Sequence, residues 1–203
     1  MQETLPATLT DRMREFGYGI VNPMGKALYR LGVHPDLVTI LGCGLVLLAG
    51  IPIGQGQLQV GAVLLLLALP CDVLDGAVAR AMERKGQFGA VLDSSLDRYA
   101  DGFIFAALSY YFAVQGRTEW IIVAQAAMLG TFMVSYIRAR AESVGVIAKI
   151  GLLSRMERSV IIIPMLLFPV LLEVLLLVLA IGTNVTTLQR LWFVYRTLRD
   201  RGN

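Results

Sequence analysis

The chain has 203 residues, of which 56% are apolar and 16% charged, with a mean hydropathy of +0.66. A soluble domain averages about 45–50% apolar and about 25% charged, so the composition excludes a water-borne globule and any large soluble catalytic domain. The net charge of +3, from 18 Lys and Arg against 15 Asp and Glu, gathers at the ends of apolar runs rather than on one basic face, which argues against nucleic acid as a partner.

The first 36 residues are mixed and polar, with no apolar core leading to a small-residue cleavage site, so no removable signal peptide is expected. Within them Leu9, Met13, Phe16, Ile20 and Met24 recur at roughly helical spacing between Arg12, Arg14 and Lys26, which predicts an amphipathic helix lying on the membrane interface. A first span is expected over Leu37 to Ile53, closed by Gly54-Gln55-Gly56-Gln57, and a second from Leu58 into the region of Asp72. A third runs over Tyr99 to Val114 and a fourth over Trp120 to Ile137. The last apolar stretch starts at Val160 and continues, half-polar, to Val194. At about 1.5 Å per residue it overruns one bilayer, so it is expected to fold as two helices turning near Pro169 to Glu173. Cys43 and Cys71 both lie inside apolar runs, where reduced thiols act as small hydrophobes and suggest neither a disulfide nor a metal site.

The fold expected is therefore all-α: six transmembrane helices plus an N-terminal amphipathic juxtamembrane helix. It forms one domain over residues 1–203, with 1–36 as the interfacial segment and 37–197 as the six-helix bundle. Six spans put both termini on one face. Of the 18 Lys and Arg, only Arg117 then falls on the other face, so the positive-inside bias makes the charged face cytoplasmic in a multi-pass protein of the cell membrane.

Carboxylates at span ends are costly and mark sites by default. Asp72 and Asp75 share a helix face at i,i+3, and Asp93 and Asp97 share one at i,i+4. Two helices joined by a short loop are neighbours, so the four can converge near the charged surface. Unneutralised, four clustered anions repel one another; hard oxygen ligands without Cys or His favour Mg²⁺ or Mn²⁺ over zinc. The competing reading makes Asp93 and Asp97 helix caps, but it does not extend to Asp72 and Asp75, which end an apolar run where the helix dipole disfavours anions. Gly76 and Ala79 remove bulk beside the pair, and Arg80 and Lys85 add positive charge suited to a pyrophosphate rather than to a transported cation.

The string Asp72-x2-Asp75-Gly76-x2-Ala79-Arg80-x8-Gly89-x3-Asp93-x3-Asp97 resembles the signature of the CDP-alcohol phosphotransferases at every position. The resemblance implies two Mg²⁺ ions, or Mn²⁺, held by Asp72, Asp75, Asp93 and Asp97, with Asp97 also the base for the acceptor hydroxyl. It implies a CDP-linked lipid bound by Gly76, Ala79, Arg80 and Gly86, and upstream by Asp36, Leu37, Val38 and Thr39. It further implies a homodimer.

Ser135, Arg138 and Arg140 close the fourth span, Arg155 and Arg158 open the fifth, and Arg190 lies in the sixth. Forked guanidinium donors suit a dianionic phosphate, so these six form the expected acceptor phosphate-binding set. The same strings resemble the bacterial phosphatidylinositol phosphate synthases, which implies transfer of a phosphatidyl group from CDP-diacylglycerol to inositol 1-phosphate with release of CMP. A phosphatidylglycerophosphate synthase using glycerol 3-phosphate shares the same metals and stays the nearest alternative. A divalent-cation transporter or a non-catalytic scaffold would leave Arg80 and the nucleotide unexplained.

Overall fold

The structure is a computed structural model that describes residues 21–82 and 87–201. Leu9, Met13, Phe16 and Ile20 of the expected interfacial helix lie outside the described residues, as does Gly86; residues 21–30, which include Met24, are helical. The regular elements that follow are all helical: α1 (Pro35–Gly54), α2 (Leu58–Ala81), α3 (Phe88–Val114), α4 (Thr118–Ser143), α5 (Arg155–Leu167), a single 3₁₀ turn (Pro169–Leu171) and α6 (Leu172–Arg201).

The turns have local causes. Gly56 (φ 82°) and Gly116 (φ 70°) take left-handed conformations that a side chain would resist, and close the links from α1 to α2 and from α3 to α4. Pro169 disfavours helical geometry at Phe168, whose φ of −116° and ψ of 88° end α5, and the expected break in the last apolar stretch falls there.

Among the described residues four segments are long and apolar enough to cross a bilayer: Pro35–Gly54, Leu58–Ala81, Thr118–Ser143 and Pro169–Arg201. The sequence reading expects six spans, and the two others differ for physical reasons. The apolar part of α3 follows Asp97, Arg98 and Asp101, so any bilayer-length window within α3 carries at least three charges. The 13 residues of α5 reach only about 20 Å at ~1.5 Å per residue, short of a hydrocarbon core of about 30 Å.

The chain divides into two compact units, Met1–Gly44 with Leu67–Leu96, and Leu45–Leu66 with Asp97–Asn203, the boundaries falling inside α1, α2 and α3. In the first, α1 and α2 cross closely, because a Cβ on Gly42 would come within 2.8 Å of the Cys71 Cβ. In the second, Ile53, Leu58, Phe105, Leu108, Phe112, Met165, Leu166, Leu176 and Leu179 are fully or almost fully buried and form one apolar core. There α4 and α6 lie against each other along small and hydroxyl residues. Asn184 Nδ2 donates to Ala126 O at 3.0 Å, and a Cβ on Gly130 would overlap Thr183 and Asn184. Interfaces of this kind suit a lipid setting, where close backbone approach and interhelical hydrogen bonds replace the hydrophobic drive. At the α3–α4 turn Arg117 Nη1 reaches Glu173 Oε1 at 2.5 Å, and its guanidinium lies over the rings of Phe112 and Trp120.

Gly130→Val should therefore force α4 and α6 apart, costing about 1–3 kcal/mol as overpacking does. Gly44→Ala, at a position with nothing within 4 Å, should cost nothing. Thermal unfolding midpoints in detergent, compared between the two variants, check this.

Candidate active site

In the first unit the beginning of α1, the last turns of α2 and the first turns of α3 build one polar pocket. Pro35, Asp36, Thr39, Asp75, Gly76, Ala79, Gly89, Ala90 and Asp93 line a cavity of about 260 Å³. Its fixed point is Asp75, 8% exposed, whose two oxygens are both engaged: Thr39 Oγ1 donates to Oδ2 at 2.7 Å and the Gly76 N–H donates to Oδ1 at 2.5 Å. Thr39 Oγ1 also lies 3.1 Å from Pro35 O, which ties the side chain to the opening turn of its own helix. Gly76 keeps the wall open, since a Cβ there would sit 3.3 Å from Arg80 Nη1.

The pocket gathers Asp36, Thr39, Asp75, Gly76, Ala79 and Asp93 from the residues expected on sequence grounds. It does not include Leu37, which is 48% exposed, or Val38, which is buried at 7%. Asp72 and Arg80 lie exposed on α2 and do not line it. Pro35, Gly89 and Ala90 line it without having been expected; Gly89 was visible as a fixed position of the acidic string.

In the second unit Asp97 is 8% exposed and faces cations. Arg155 Nη2 lies 2.5 Å from its Oδ1 and Arg98 Nη2 lies 3.3 Å from its Oδ2. One turn further along α3, Asp101 Oδ2 accepts from Arg158 Nη2 at 2.9 Å; Arg158 is 1% exposed. Arg190 is buried as well, its Nε donating to Ile150 O at 2.8 Å and its Nη1 to Val134 O at 2.6 Å. These bonds use two of its five donors on the backbone. The other expected acceptor contacts lie nearer the surface of α4. Ser135 is half-buried, Arg138 pairs with Glu142 at 3.1 Å, and Arg140 Nη1 donates to Ser143 Oγ at 3.3 Å.

The segment from Val144 to Ser154 is pinned to α6. Leu153 N–H donates to Thr186 Oγ1 at 3.0 Å and Arg201 Nη2 to Gly145 O at 3.1 Å, while Val146 and Ala148 are buried against Phe193 and Val194. Gly151 has a φ of 120°, and a Cβ there would overlap Thr186.

As donors, the pocket presents the carboxylates of Asp36, Asp75 and Asp93 and the Thr39 hydroxyl, all hard oxygens that fit Mg²⁺ or Mn²⁺ and not a thiophilic ion. Among the described residues no three His, Cys, Asp or Glu side chains stand close enough together to hold a metal ion as they are placed.

Residues 32–188 match the family model described as CDP-alcohol phosphatidyltransferase. A phosphatidylinositol phosphate synthase of Cutibacterium acnes is 42% identical over 144 residues, covering 70% of each chain. The crystal structure of the Mycobacterium tuberculosis phosphatidylinositol phosphate synthase with CDP-DAG bound superposes with a TM-score of 0.81 at 33% identity, over 87% of this chain and 94% of that one. The same M. tuberculosis enzyme in complex with manganese and citrate gives 0.81 at 33% identity, over 87% and 89%. The chain belongs to the CDP-alcohol phosphatidyltransferase family and is a membrane-embedded transferase of phospholipid synthesis.

Thr39→Val deletes the hydroxyl donor from the buried Asp75 carboxylate. A lost hydrogen bond to a charged group costs about 1.5–3 kcal/mol. The thermal midpoint of the valine variant should fall accordingly, and Thr39→Ser should restore most of it.

Proposed function

We propose that this chain transfers the phosphatidyl group of CDP-diacylglycerol to inositol 1-phosphate, releasing CMP and forming phosphatidylinositol phosphate. The observation that carries this is Arg155 on the opening turn of α5, its guanidinium against Asp97, which puts a forked phosphate donor beside the carboxylate that accepts a proton. The names of relatives at 33–42% identity support the choice of acceptor, and the CDP-DAG bound in one of them supports the choice of donor.

In the reaction the acceptor hydroxyl oxygen forms a bond to the phosphorus that bears diacylglycerol. The bond from that phosphorus to the bridging pyrophosphate oxygen breaks, and its electron pair leaves with CMP. The hydroxyl proton passes to Asp97, whose burial and placement suit a positioned base. Asp72, Asp75, Asp93 and Asp97 would hold two Mg²⁺ or Mn²⁺ ions, which supply charge neutralisation at the pyrophosphate. Thr39 and Gly76 hold the Asp75 carboxylate by hydrogen bonds, and Gly76 and Ala79, with Asp36 and Arg80, would receive the nucleotide. The family resemblance assigns Leu37, Val38 and Gly86 to the same substrate. Ser135, Arg138, Arg140, Arg155, Arg158 and Arg190 form the acceptor phosphate-binding set, Arg155 foremost, with Arg158 also paired to Asp101 and Arg190 also bonded to the Ile150 and Val134 carbonyls.

The wider arrangement belongs to the same reading: a single domain of six spans completed by α3 and α5, an N-terminal juxtamembrane helix, both termini and the site on the cytoplasmic face, and a homodimer. The excess of Lys and Arg at one set of helix ends supports the orientation.

CMP release by the purified protein with CDP-diacylglycerol and Mg²⁺, in parallel with inositol 1-phosphate, glycerol 3-phosphate and free inositol, tests the assignment. Release with inositol 1-phosphate alone is expected. Release with glycerol 3-phosphate instead would make it a phosphatidylglycerophosphate synthase, and silence with all three would overturn both. Asp97→Asn should lower kcat by about 100- to 10,000-fold while CDP-diacylglycerol binding survives, as loss of a general base does. Arg155→Ala should raise the KM for the acceptor by about tenfold or more and leave that for CDP-diacylglycerol unchanged.

A further inference from the structure

The acidic string that marks the site ends at Asp97, yet α3 carries one more carboxylate a turn deeper. Asp101 shares a helix face with Asp97 at i,i+4, and Arg158 shares one with Arg155 at i,i+3 on α5. The two helices therefore meet through two ion pairs in register, Asp97 with Arg155 at 2.5 Å and Asp101 with Arg158 at 2.9 Å. Their environments differ sharply. The Arg155 side chain is 37% exposed, whereas those of Arg158 and Asp101 are 2% and 13% exposed. Arg158 Nε is buried with no hydrogen-bond partner among the described residues, and Asp101 Oδ2 is the carboxylate contact that answers this charge. A desolvated ion of this kind is held strongly by its hydrogen-bonded carboxylate, and removing that carboxylate is far costlier than loosening a surface pair.

We infer that Asp101 is a positioning residue for the acceptor side of the reaction: through Arg158 it locks the first turn of α5 onto α3 and thereby sets where Arg155 stands relative to Asp97. The inference rests on the proposed role of Arg155 toward the acceptor phosphate. Asp101 acts through another side chain and touches no reacting atom. Ser154 precedes the helix as its N-cap, and its hydroxyl is bonded to Glu157, so the opening turn of α5 is internally braced. It moves as a unit, and the rung that fixes Arg158 also fixes Arg155 one turn away. The lipid-nucleotide pocket is lined by other residues, Asp36, Thr39, Asp75 and Asp93 among them, and contains neither member of the deeper pair. The effect of losing Asp101 should therefore fall on one substrate and spare the other.

The experiment has two arms. In the first, CMP release is measured for wild type, Asp101→Asn, Asp101→Glu, Arg155→Ala and the double variant Asp101→Asn/Arg155→Ala, with whichever acceptor supports release by the wild type. The acceptor KM should rise by about fivefold or more in Asp101→Asn with the KM for CDP-diacylglycerol unchanged. Asp101→Glu should recover most of that loss. In the double variant, Asp101→Asn should add little to the effect of Arg155→Ala, because residues acting through one contact are not additive. Equal increases in both KM values, or full additivity with Arg155→Ala, would overturn the inference. In the second arm, spin labels at the exposed positions Tyr99 and Met156 report the α3–α5 distance without any substrate. Asp101→Asn should broaden or shift the distance distribution, and an unchanged distribution would overturn the inference. A wild type that releases CMP with no phosphorylated acceptor would refute the assigned acceptor and leave the distance arm to decide whether Asp101 positions α5.

Discussion

An ionised side chain in an apolar helix bundle must find its counter-group within hydrogen-bond reach, and the arrangement of this protein follows from how each such demand is met. Asp75 is answered by a hydroxyl from α1 and a backbone N–H of its own helix, Arg158 by a carboxylate on α3, and Arg190 by two carbonyl oxygens. Each solution also joins segments far apart in sequence. Buried polar groups are thus the groups that fix the helices carrying them.

The pairing divides the labour between two kinds of residue. Some, such as Asp36, Asp93, Arg138 and Arg155, keep part of their surface exposed. Others, such as Arg158 and Arg190, are enclosed, and their hydrogen bonds go to a carboxylate and to backbone carbonyls of the protein itself. Arginine suits both tasks because its planar fork serves a carboxylate, a carbonyl or a phosphate with the same geometry.

That versatility explains what was legible in the sequence and what was not. The acidic string from Asp72 to Asp97 stood out in the sequence as carboxylates at helical spacing in an apolar setting, and the structure places two of its four members, Asp75 and Asp93, at one pocket. The break at Pro169 could be read as well, since proline restricts the residue before it and the apolar run was too long for one crossing. Arg158 and Arg190 could not be told from Arg155, because spacing along a helix does not reveal whether a carbonyl 56 residues away, such as Val134 O for Arg190, will claim the guanidinium. Asp101 passed unnoticed for the complementary reason: its meaning comes from Arg158, which is 57 residues distant. The number of spans was blurred by the same chemistry, as the charges that belong to the site also lower the apolar character of α3.

The segment between α4 and α5 shows a different kind of constraint. It is tied to α6 near its beginning, through Gly145 and Arg201, and near its end, through Ile150 with Arg190 and Leu153 with Thr186. Connecting loops in most proteins absorb insertions readily, because only their ends are held. Here the ties are distributed along the loop, and Gly151 has room for no side chain. Length, more than composition, is what this stretch cannot vary: one added or deleted residue would slide every later anchor out of register and deliver α5 to the wrong place. Related chains should therefore diverge freely at the far turns and keep this connection the same size.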